Sequence, residues 1–205
     1  MALSRGPVGC ATIWGMTRRP EFVFGYGSLA GSPGPAASRE ICRQGFVADL
    51  TGFVRTWGVA MDNRRDLPGY KYYTDPAGRR PHVFVTFLDL VPSEANSAAV
   101  NGLCLPVAEP ALVVLDRRER NYERVDVSDH IDAGGARVWV YRGSVDGRAR
   151  CDEGRGAGTA VIDANYLRAV QAGFSALGEA EFRQCGLSLD PGGTPVTELV
   201  RHQLP

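Results

Sequence analysis

The sequence predicts an α+β protein, in which strands and helices occupy different parts of the chain, rather than an alternating βαβ protein. Aromatic and β-branched runs fill most of the first two thirds of the 205 residues, and the longest helical periodicity lies near the C-terminus. Apolar residues make up 44% of the chain and charged residues 22%. These fractions are typical of a globular protein and argue against disorder.

The first half of the chain is predicted to consist mainly of strands. Residues 21–26 form an aromatic and β-branched run, and residues 46–61 alternate loosely between apolar and polar positions. A loop over residues 62–69 leads to the aromatic segment 70–73. Residues 82–91 are strongly β-branched and aromatic, so we expect them to form a strand in the middle of a sheet.

Glycines and prolines follow the first predicted strand. Residues 27–35 contain so many of them that a loop, not a helix, is expected to leave this strand. A short helix is predicted over residues 37–43.

The second half begins with a short strand, predicted over residues 102–107. A helix over residues 109–120 follows, with Pro110 in its first turn, where proline is well tolerated. Residues 122–127 and 137–141 are predicted to be strands joined by a glycine-containing turn.

Two longer segments complete the prediction. Residues 142–158 are rich in glycine and arginine and are expected to form a mobile loop, a lid or a plain surface connection. Residues 160–184 are predicted to form one long amphipathic helix that covers the core. Its apolar positions recur at three- and four-residue spacing: Ile162, Tyr166, Val170, Phe174 and Leu177.

The domain prediction is a flexible N-terminal tail over residues 1–20 and a single domain over residues 21–205. No signal peptide is expected, because the weakly apolar run near the N-terminus is interrupted by Gly9 and Gly15. The five cysteines are widely spaced and form no C-x-x-C pair, which favours a cytoplasmic location and argues against a disulfide framework. The three histidines fit no metal-binding pattern, so no metal site is predicted.

The charges balance, since 23 basic residues meet 23 acidic ones. Lys71 is the only lysine among the cations, and the arginines are interleaved with acids in no run of five or more. No nucleic-acid partner is therefore expected. No segment approaches the ~20 apolar residues that a membrane-spanning helix requires, so no membrane partner is expected either.

The first candidate functional motif is the Gly25-Tyr26-Gly27-Ser28-Leu29-Ala30 segment. It satisfies the G-x-G-x-x-A pattern of dinucleotide-binding turns, but the nearby Pro33 and Pro35 argue against the regular helix that such a turn must open. Two other interpretations stay open. The segment is either a plain glycine-rich turn or a loop whose backbone N–H groups face a small carboxylate or oxyanion.

The second candidate motif is Leu115-Asp116-x-x-Glu119, at the end of the predicted helix. A carboxylate here is a candidate general base. The alternative is a solvated helix end with i,i+4 charge pairs. The charges alone do not decide between these interpretations.

Taken together, the two motifs resemble those of the gamma-glutamylcyclotransferase-like proteins. Tyr26-Gly27-Ser28-Leu29 follows an N-terminal strand, and about 90 residues later come Leu115-Asp116-x-x-Glu119 and Tyr122. The resemblance implies a small mixed β-barrel flanked by helices. It also implies a cofactor-independent enzyme that cyclises a small-molecule gamma-glutamyl amide to 5-oxoproline and releases an amine or peptide.

The resemblance further implies roles for individual residues. Glu119 matches the catalytic glutamate, and residues 26–29 match the substrate loop, with Tyr26 supporting it from below. For this role we expect Glu119 to be partly buried, with a raised pKa, and the adjacent arginines to point to solvent or to other acids. Tyr122 is either a substrate hydrogen-bond donor or a core aromatic, and Arg55 either stabilises the site or faces solvent from a strand.

Two alternative functions remain open. One is a catalytically silent small-molecule-binding domain on the same fold. The other is a dinucleotide-dependent oxidoreductase, which a regular helix after the first motif would favour.

Overall fold

The computed structural model describes residues 19–31, 45–95 and 98–205. Nearly all of the predicted N-terminal tail and the helix predicted over residues 37–43 lie outside the described residues. The described strands are β1 (Glu21–Gly25), β2 (Phe46–Thr51), β3 (Phe53–Asp62), β4 (Lys71–Thr74), β5 (Phe84–Pro92), β6 (Ala99–Pro106), β7 (Tyr122–Asp126), β8 (Arg137–Gly143), β9 (Ala160–Asp163), β10 (Val196–Thr197) and β11 (Val200–Gln203). The described helices are α1 (Ser28–Gly31), α2 (Glu109–Arg118), α3 (Val145–Gly156), α4 (Ala164–Leu177) and α5 (Glu179–Gly186).

The described strands pair into three sheets. The first has the order β2-β6-β1-β8-β7, the second β10-β9-β5-β3, and the third contains only β11 and β4. Antiparallel and parallel pairs are mixed, since β1 is antiparallel to β6 and parallel to β8. The predicted α+β class is confirmed. No closed barrel is found among the described strands, so the barrel is not confirmed.

The main hydrophobic core draws on both large sheets and on α4. Phe24 of β1, Leu103 of β6 and Leu90 of β5 are almost fully buried, and so are Val170 and Phe174 of α4. Burial of one such large side chain stabilises the fold by roughly 1.5–3 kcal/mol. Strand β5 lies inside its sheet between β9 and β3, as the sequence predicts.

The single long helix predicted over residues 160–184 is wrong. Residues Ala160–Asp163 form β9, which runs parallel to β5, and α4 begins only after it. The Asp163 side chain caps α4 by accepting a hydrogen bond from the Asn165 N–H group. The pattern then breaks at Gly178, whose φ of 143° lies outside the helical range, and α5 follows.

The loop or lid predicted over residues 142–158 is also wrong, because most of this segment forms α3. Ser144 caps the helix by accepting a hydrogen bond from the Gly147 N–H group at 3.0 Å. A Cβ atom on Gly147 would lie 2.5 Å from the Asn121 carbonyl oxygen, and one on Gly154 would lie 2.7 Å from the Phe84 Cβ. The glycines therefore serve close packing of α3 against its neighbours.

The expectation that residues 27–35 contain no helix is wrong for their first part. Residues Ser28–Gly31 form the single turn α1, in which the Ala30 N–H group donates to the Gly27 carbonyl at 2.9 Å. Pro33 restricts the residue directly before it, so it does not prevent a turn that ends at Gly31. No helix among the described residues is long and apolar enough to cross a membrane.

Candidate active site

A small pocket lies where β1 ends and α1 begins. Its volume is about 40 Å³. Both sequence motifs contribute to it, because Glu119 and Tyr122 face the same space as the loop of residues 26–29. The lining residues are Tyr26, Gly27, Ser28, Leu29, Leu88, Glu119, Tyr122, Tyr141 and Tyr166.

Gly27 allows the loop to approach the pocket wall closely. A Cβ atom on Gly27 would lie 3.1 Å from the Tyr166 hydroxyl oxygen and 3.4 Å from the Leu88 Cδ1 atom. Burial raises the pKa of this hydroxyl, and the backbone of Leu88 and Ser28 acts in the opposite direction. The loop backbone and the Tyr166 hydroxyl therefore form one polar surface inside the pocket.

Tyrosine hydroxyls fix the positions of the surrounding elements. Tyr26 donates to the Tyr141 carbonyl at 2.7 Å, and Tyr122 donates to the Leu88 carbonyl at 2.8 Å. Tyr141 donates in turn to the Asp116 carboxylate at 2.7 Å. Burial raises the pKa of Tyr26, Tyr122 and Tyr166 well above the ordinary value, so these groups are neutral hydrogen-bond donors at physiological pH.

Glu119 occupies the first position after α2. Its N–H group donates to the Leu115 carbonyl at 2.8 Å, and its carbonyl accepts from the Tyr122 N–H group at 2.9 Å. The side chain is largely buried, with 17% of its surface exposed. These two backbone bonds hold the turn that points the carboxylate toward the loop of residues 26–29.

The expectation that all the neighbouring arginines avoid Glu119 is wrong for Arg118. The Arg118 Nε atom lies 3.2 Å from the Glu119 Oε1 atom, although the Arg118 side chain is half exposed. Among the described residues, no ion pair joins Glu119 to Arg117 or Arg120.

Arg55 is buried, so the interpretation of a strand arginine that faces solvent is wrong. Its Nε atom donates to the Tyr26 carbonyl at 2.8 Å, and its terminal nitrogens donate to the Ser188 hydroxyl at 2.7 Å and the Asn101 carbonyl at 2.6 Å. Burial lowers the pKa of Arg55 from its usual value. Arg55 does not line the pocket, but it anchors the backbone of the loop that does.

Lys71 places a cation near the site in largely apolar surroundings. Its Nζ atom lies 4.0 Å from the Phe87 ring centroid, and the Phe87 ring packs edge-on against Tyr166 at 5.1 Å. Burial lowers the pKa of Lys71 to about 8, although the nearby Glu119 charge acts in the opposite direction. Among the described residues, no hydrogen bond or ion pair satisfies this ammonium group.

The comparisons with known proteins support the fold. No protein-family model matches the sequence, and no curated protein matches it. The crystal structure of YkqA from Bacillus subtilis aligns with a TM-score of 0.55 and 13% identity over 87% of this chain. The chain has a fold similar to that of YkqA. It spans 56% of the length of YkqA.

Two further solved structures match with lower TM-scores. A gamma-glutamyl cyclotransferase aligns with a TM-score of 0.47 and 12% identity, covering 85% of this chain and 92% of the other. A yeast gamma-glutamyl cyclotransferase specific to glutathione aligns with a TM-score of 0.44 and 15% identity, covering 84% of this chain and 89% of the other.

The topology around the first motif differs from that of a dinucleotide-binding unit. Such a unit places the strand that follows the glycine-rich turn and its helix beside the first strand and parallel to it. Here β2, the next described strand, pairs with β6, and the parallel neighbour of β1 is β8. Among the described residues, no three histidine, cysteine or acidic side chains form a metal-binding group.

Three lining residues were not predicted from the sequence as site residues: Leu88, Tyr141 and Tyr166. Tyr141 and Tyr166 fall within a predicted strand and a predicted helix, where aromatics usually indicate core. The one sequence signal for the surroundings of Glu119 was its spacing from Asp116, because residues three apart on a helix end share a face. Asp116 near the end of α2 binds Tyr141, and Glu119 directly after α2 lines the pocket.

Proposed function

We propose that the chain is a gamma-glutamylcyclotransferase-like enzyme, which cyclises a gamma-glutamyl amide to 5-oxoproline without a cofactor and releases an amine or peptide. The observation that carries the proposal is the shared pocket of Glu119 and the loop of residues 26–29. These are the two motifs by which the sequence resembles that family. The fold similarity to YkqA is consistent with the proposal but does not specify an activity.

The reaction requires a nucleophile, and the α-amine of the glutamyl group supplies it. This amine is an ammonium ion at neutral pH and must lose a proton before it attacks the γ-carbonyl carbon. Glu119 is the candidate base, because its largely buried carboxylate lines the pocket beside the loop of residues 26–29. A new C–N bond then closes the five-membered ring.

The second half of the reaction breaks the original amide bond. The tetrahedral intermediate carries an oxyanion, for which the backbone N–H groups of the loop are the candidate donors. Collapse of the intermediate expels the leaving nitrogen, which takes the proton that Glu119 removed. The second proton lost by the attacking nitrogen leaves with the released amine, so that the amine departs as an ammonium ion and the ring nitrogen keeps one hydrogen.

The tyrosines are assigned positioning roles. The hydroxyls of Tyr122 and Tyr26 donate hydrogen bonds to backbone carbonyls, which makes the pocket more rigid. The hydroxyl of Tyr166 lies beside Gly27. Arg55 holds the loop through the Tyr26 carbonyl. Such support keeps reacting groups within the narrow tolerance that catalysis needs.

We also propose a cytoplasmic location. The three described cysteines, Cys104, Cys151 and Cys185, are free and buried. Free thiols are typical of reducing compartments.

The experiment is an assay for 5-oxoproline with a panel of gamma-glutamyl peptides and gamma-glutamyl amines. We expect turnover of at least one compound, and a loss of about 100-fold or more in Glu119→Gln, since general acid–base groups contribute 10²–10⁴-fold. Glu123→Gln is the matched control, because Glu123 is exposed on β7 and lies outside the pocket. Binding of a panel member without any turnover would instead favour the catalytically silent binding domain.

A further inference from the structure

A second and larger cavity, of about 530 Å³, lies beside the small pocket. This volume falls within the ~300–1,000 Å³ typical of cavities that bind small molecules. The segment after α2 faces both spaces, since Glu119 and Tyr122 line the small pocket, whereas Arg120 and Asn121 between them line the large cavity. The remaining lining residues of the large cavity are Met61, Asp62, Arg65, Leu67, Tyr70, Ser144, Asp146 and Arg150.

Tyr70 forms part of the wall of the large cavity. Its hydroxyl accepts a hydrogen bond from the Asn121 side chain at 2.9 Å, and Tyr122 packs against the hydrophobic cluster that contains its ring. Burial, followed by the negative charge of Glu119, raises the pKa of Tyr70 to about 12. Glu119 of the small pocket directly precedes Arg120 of the large cavity in the chain, so the two walls meet at this point.

Two arginines of the large cavity have no carboxylate partner among the described residues. Arg150 donates to two neutral oxygens, the Ala60 carbonyl at 3.0 Å and the Asn121 side-chain oxygen at 2.9 Å. Arg120 lies over the Tyr70 ring at 5.5 Å, and its Nε atom reaches only the Arg117 carbonyl, at 3.4 Å. Both guanidinium groups retain N–H donors for a ligand.

Two carboxylates, those of Asp62 and Asp146, also line the cavity. Among the described residues, neither forms an ion pair with Arg120 or Arg150. Asp62 is already engaged by Arg64, with contacts of 2.7 and 2.9 Å, and by Arg65 at 3.3 Å. Asp146 lies in the first turn of α3 and is exposed. The positive charges of Arg120 and Arg150, which no carboxylate of the described residues pairs with, therefore favour an anionic ligand.

We propose that the large cavity binds the leaving half of the substrate and that Arg120 and Arg150 recognise a carboxylate there. The inference rests on the proposed function and makes it more specific. Its substrates are gamma-glutamyl amino acids or short gamma-glutamyl peptides with a free C-terminal carboxylate, rather than gamma-glutamyl amines. Arginine suits this role, because its planar guanidinium binds carboxylates through two parallel hydrogen bonds.

The test compares gamma-glutamyl-alanylglycine with its C-terminal amide, and with a gamma-glutamyl diamine as a cationic substrate. We expect the wild-type protein to prefer the acid over the amide by about tenfold or more in kcat/KM, mainly through KM, as a charged hydrogen-bonded group predicts. Arg120→Met and Arg150→Met should reduce this preference to about threefold or less, because the acid loses a group that binds its carboxylate. Arg117→Met, an exposed arginine outside the cavity, is the control and should keep the wild-type preference.

If wild type and both arginine variants preferred the acid over the amide to the same extent, the inference would be overturned. A preference of the wild-type protein for the diamine would overturn it as well. If no gamma-glutamyl compound is turned over, the proposed function fails first, and equilibrium binding then tests the cavity on its own. Calorimetry with free alanylglycine and alanylglycinamide should show tighter binding of the acid to wild type and loss of the difference in Arg120→Met. Equal binding of the two peptides, or no binding of either, would overturn the assignment.

Discussion

The hydroxyl of Tyr141 donates a 2.7 Å hydrogen bond to the carboxylate of Asp116. Asp116 belongs to the motif at the end of α2, and Tyr141 forms part of the pocket wall on β8. The bond therefore ties the helix that directly precedes Glu119 to the sheet that carries the loop of residues 26–29. Asp116 takes part in the site through Tyr141, as a positioning residue.

Replacement of Asp116 by Asn should lower kcat by about tenfold and change KM little, because a neutral amide accepts this hydrogen bond less strongly than a carboxylate does. Tyr141→Phe should have a similar effect, and the double variant should lose no more than the larger single loss. Steady-state kinetics of the three variants tests this coupling. Additive losses would show that the two residues act separately.

Gly27→Ala should reduce kcat/KM by about tenfold or more, since the new methyl group would lie 3.1 Å from the Tyr166 hydroxyl oxygen and displace the loop. Removal of that hydroxyl in Tyr166→Phe relieves the contact. We therefore expect the Gly27→Ala/Tyr166→Phe double variant to be more active than Gly27→Ala alone. A double variant no better than the Gly27→Ala protein would show that the contact is not the cause.

Two glycines of α3 should respond oppositely to alanine. In Gly147→Ala the Cβ atom would lie 2.5 Å from the Asn121 carbonyl oxygen, and we expect a loss of about 1–3 kcal/mol in the free energy of unfolding. Gly156→Ala places its methyl group in open space and should stabilise the protein by roughly 0.5–1 kcal/mol. Urea titration measures both values, and equal effects at the two positions would contradict the packing described for α3.

The stability of the protein should depend on pH through Lys71. Its folded-state pKa of about 8 lies below the ordinary lysine value of 10.5, so protonated Lys71 destabilises the folded state. This penalty is fully present below pH 8 and disappears as the pH rises toward 10.5. Lys71→Met should therefore be more stable than wild type at pH 7, by on the order of 1–3 kcal/mol, and the difference should narrow at higher pH.

Urea titrations of wild type and Lys71→Met at pH 7 and pH 9.5 test this linkage. Arg79→Met, an exposed cation on a turn, serves as the control and should show no such dependence. Parallel stability curves for wild type and Lys71→Met across the range would show that Lys71 is not destabilising.

A local sequence pattern was sufficient to predict an element whose conformation is determined by that element's own residues. The β-branched run of β5 and the proline at the start of α2 each predicted the correct element. The glycines of α3 were misleading, because glycine indicates either mobility or close packing. The choice between these depends on Phe84 and Asn121, which are distant in sequence from α3.

The candidate site was predictable only in part for a similar reason. Glu119 and the loop of residues 26–29 form recognisable motifs, whereas Tyr166 is one of several apolar positions on α4. Its place beside Gly27 follows from the packing of α4 against α1, which no local pattern encodes. The buried state of Arg55 depends likewise on Asn101 and Ser188, which come from β6 and the segment after α5.

In the proposed reaction, Glu119 transfers protons during the cyclisation of a gamma-glutamyl amide. Its most direct test is the rate of 5-oxoproline formation by wild type, Glu119→Gln and Glu123→Gln, with equal folding verified by circular dichroism. We expect turnover by wild type and Glu123→Gln and a loss of about 100-fold or more in Glu119→Gln. Wild-type rates in Glu119→Gln would contradict it.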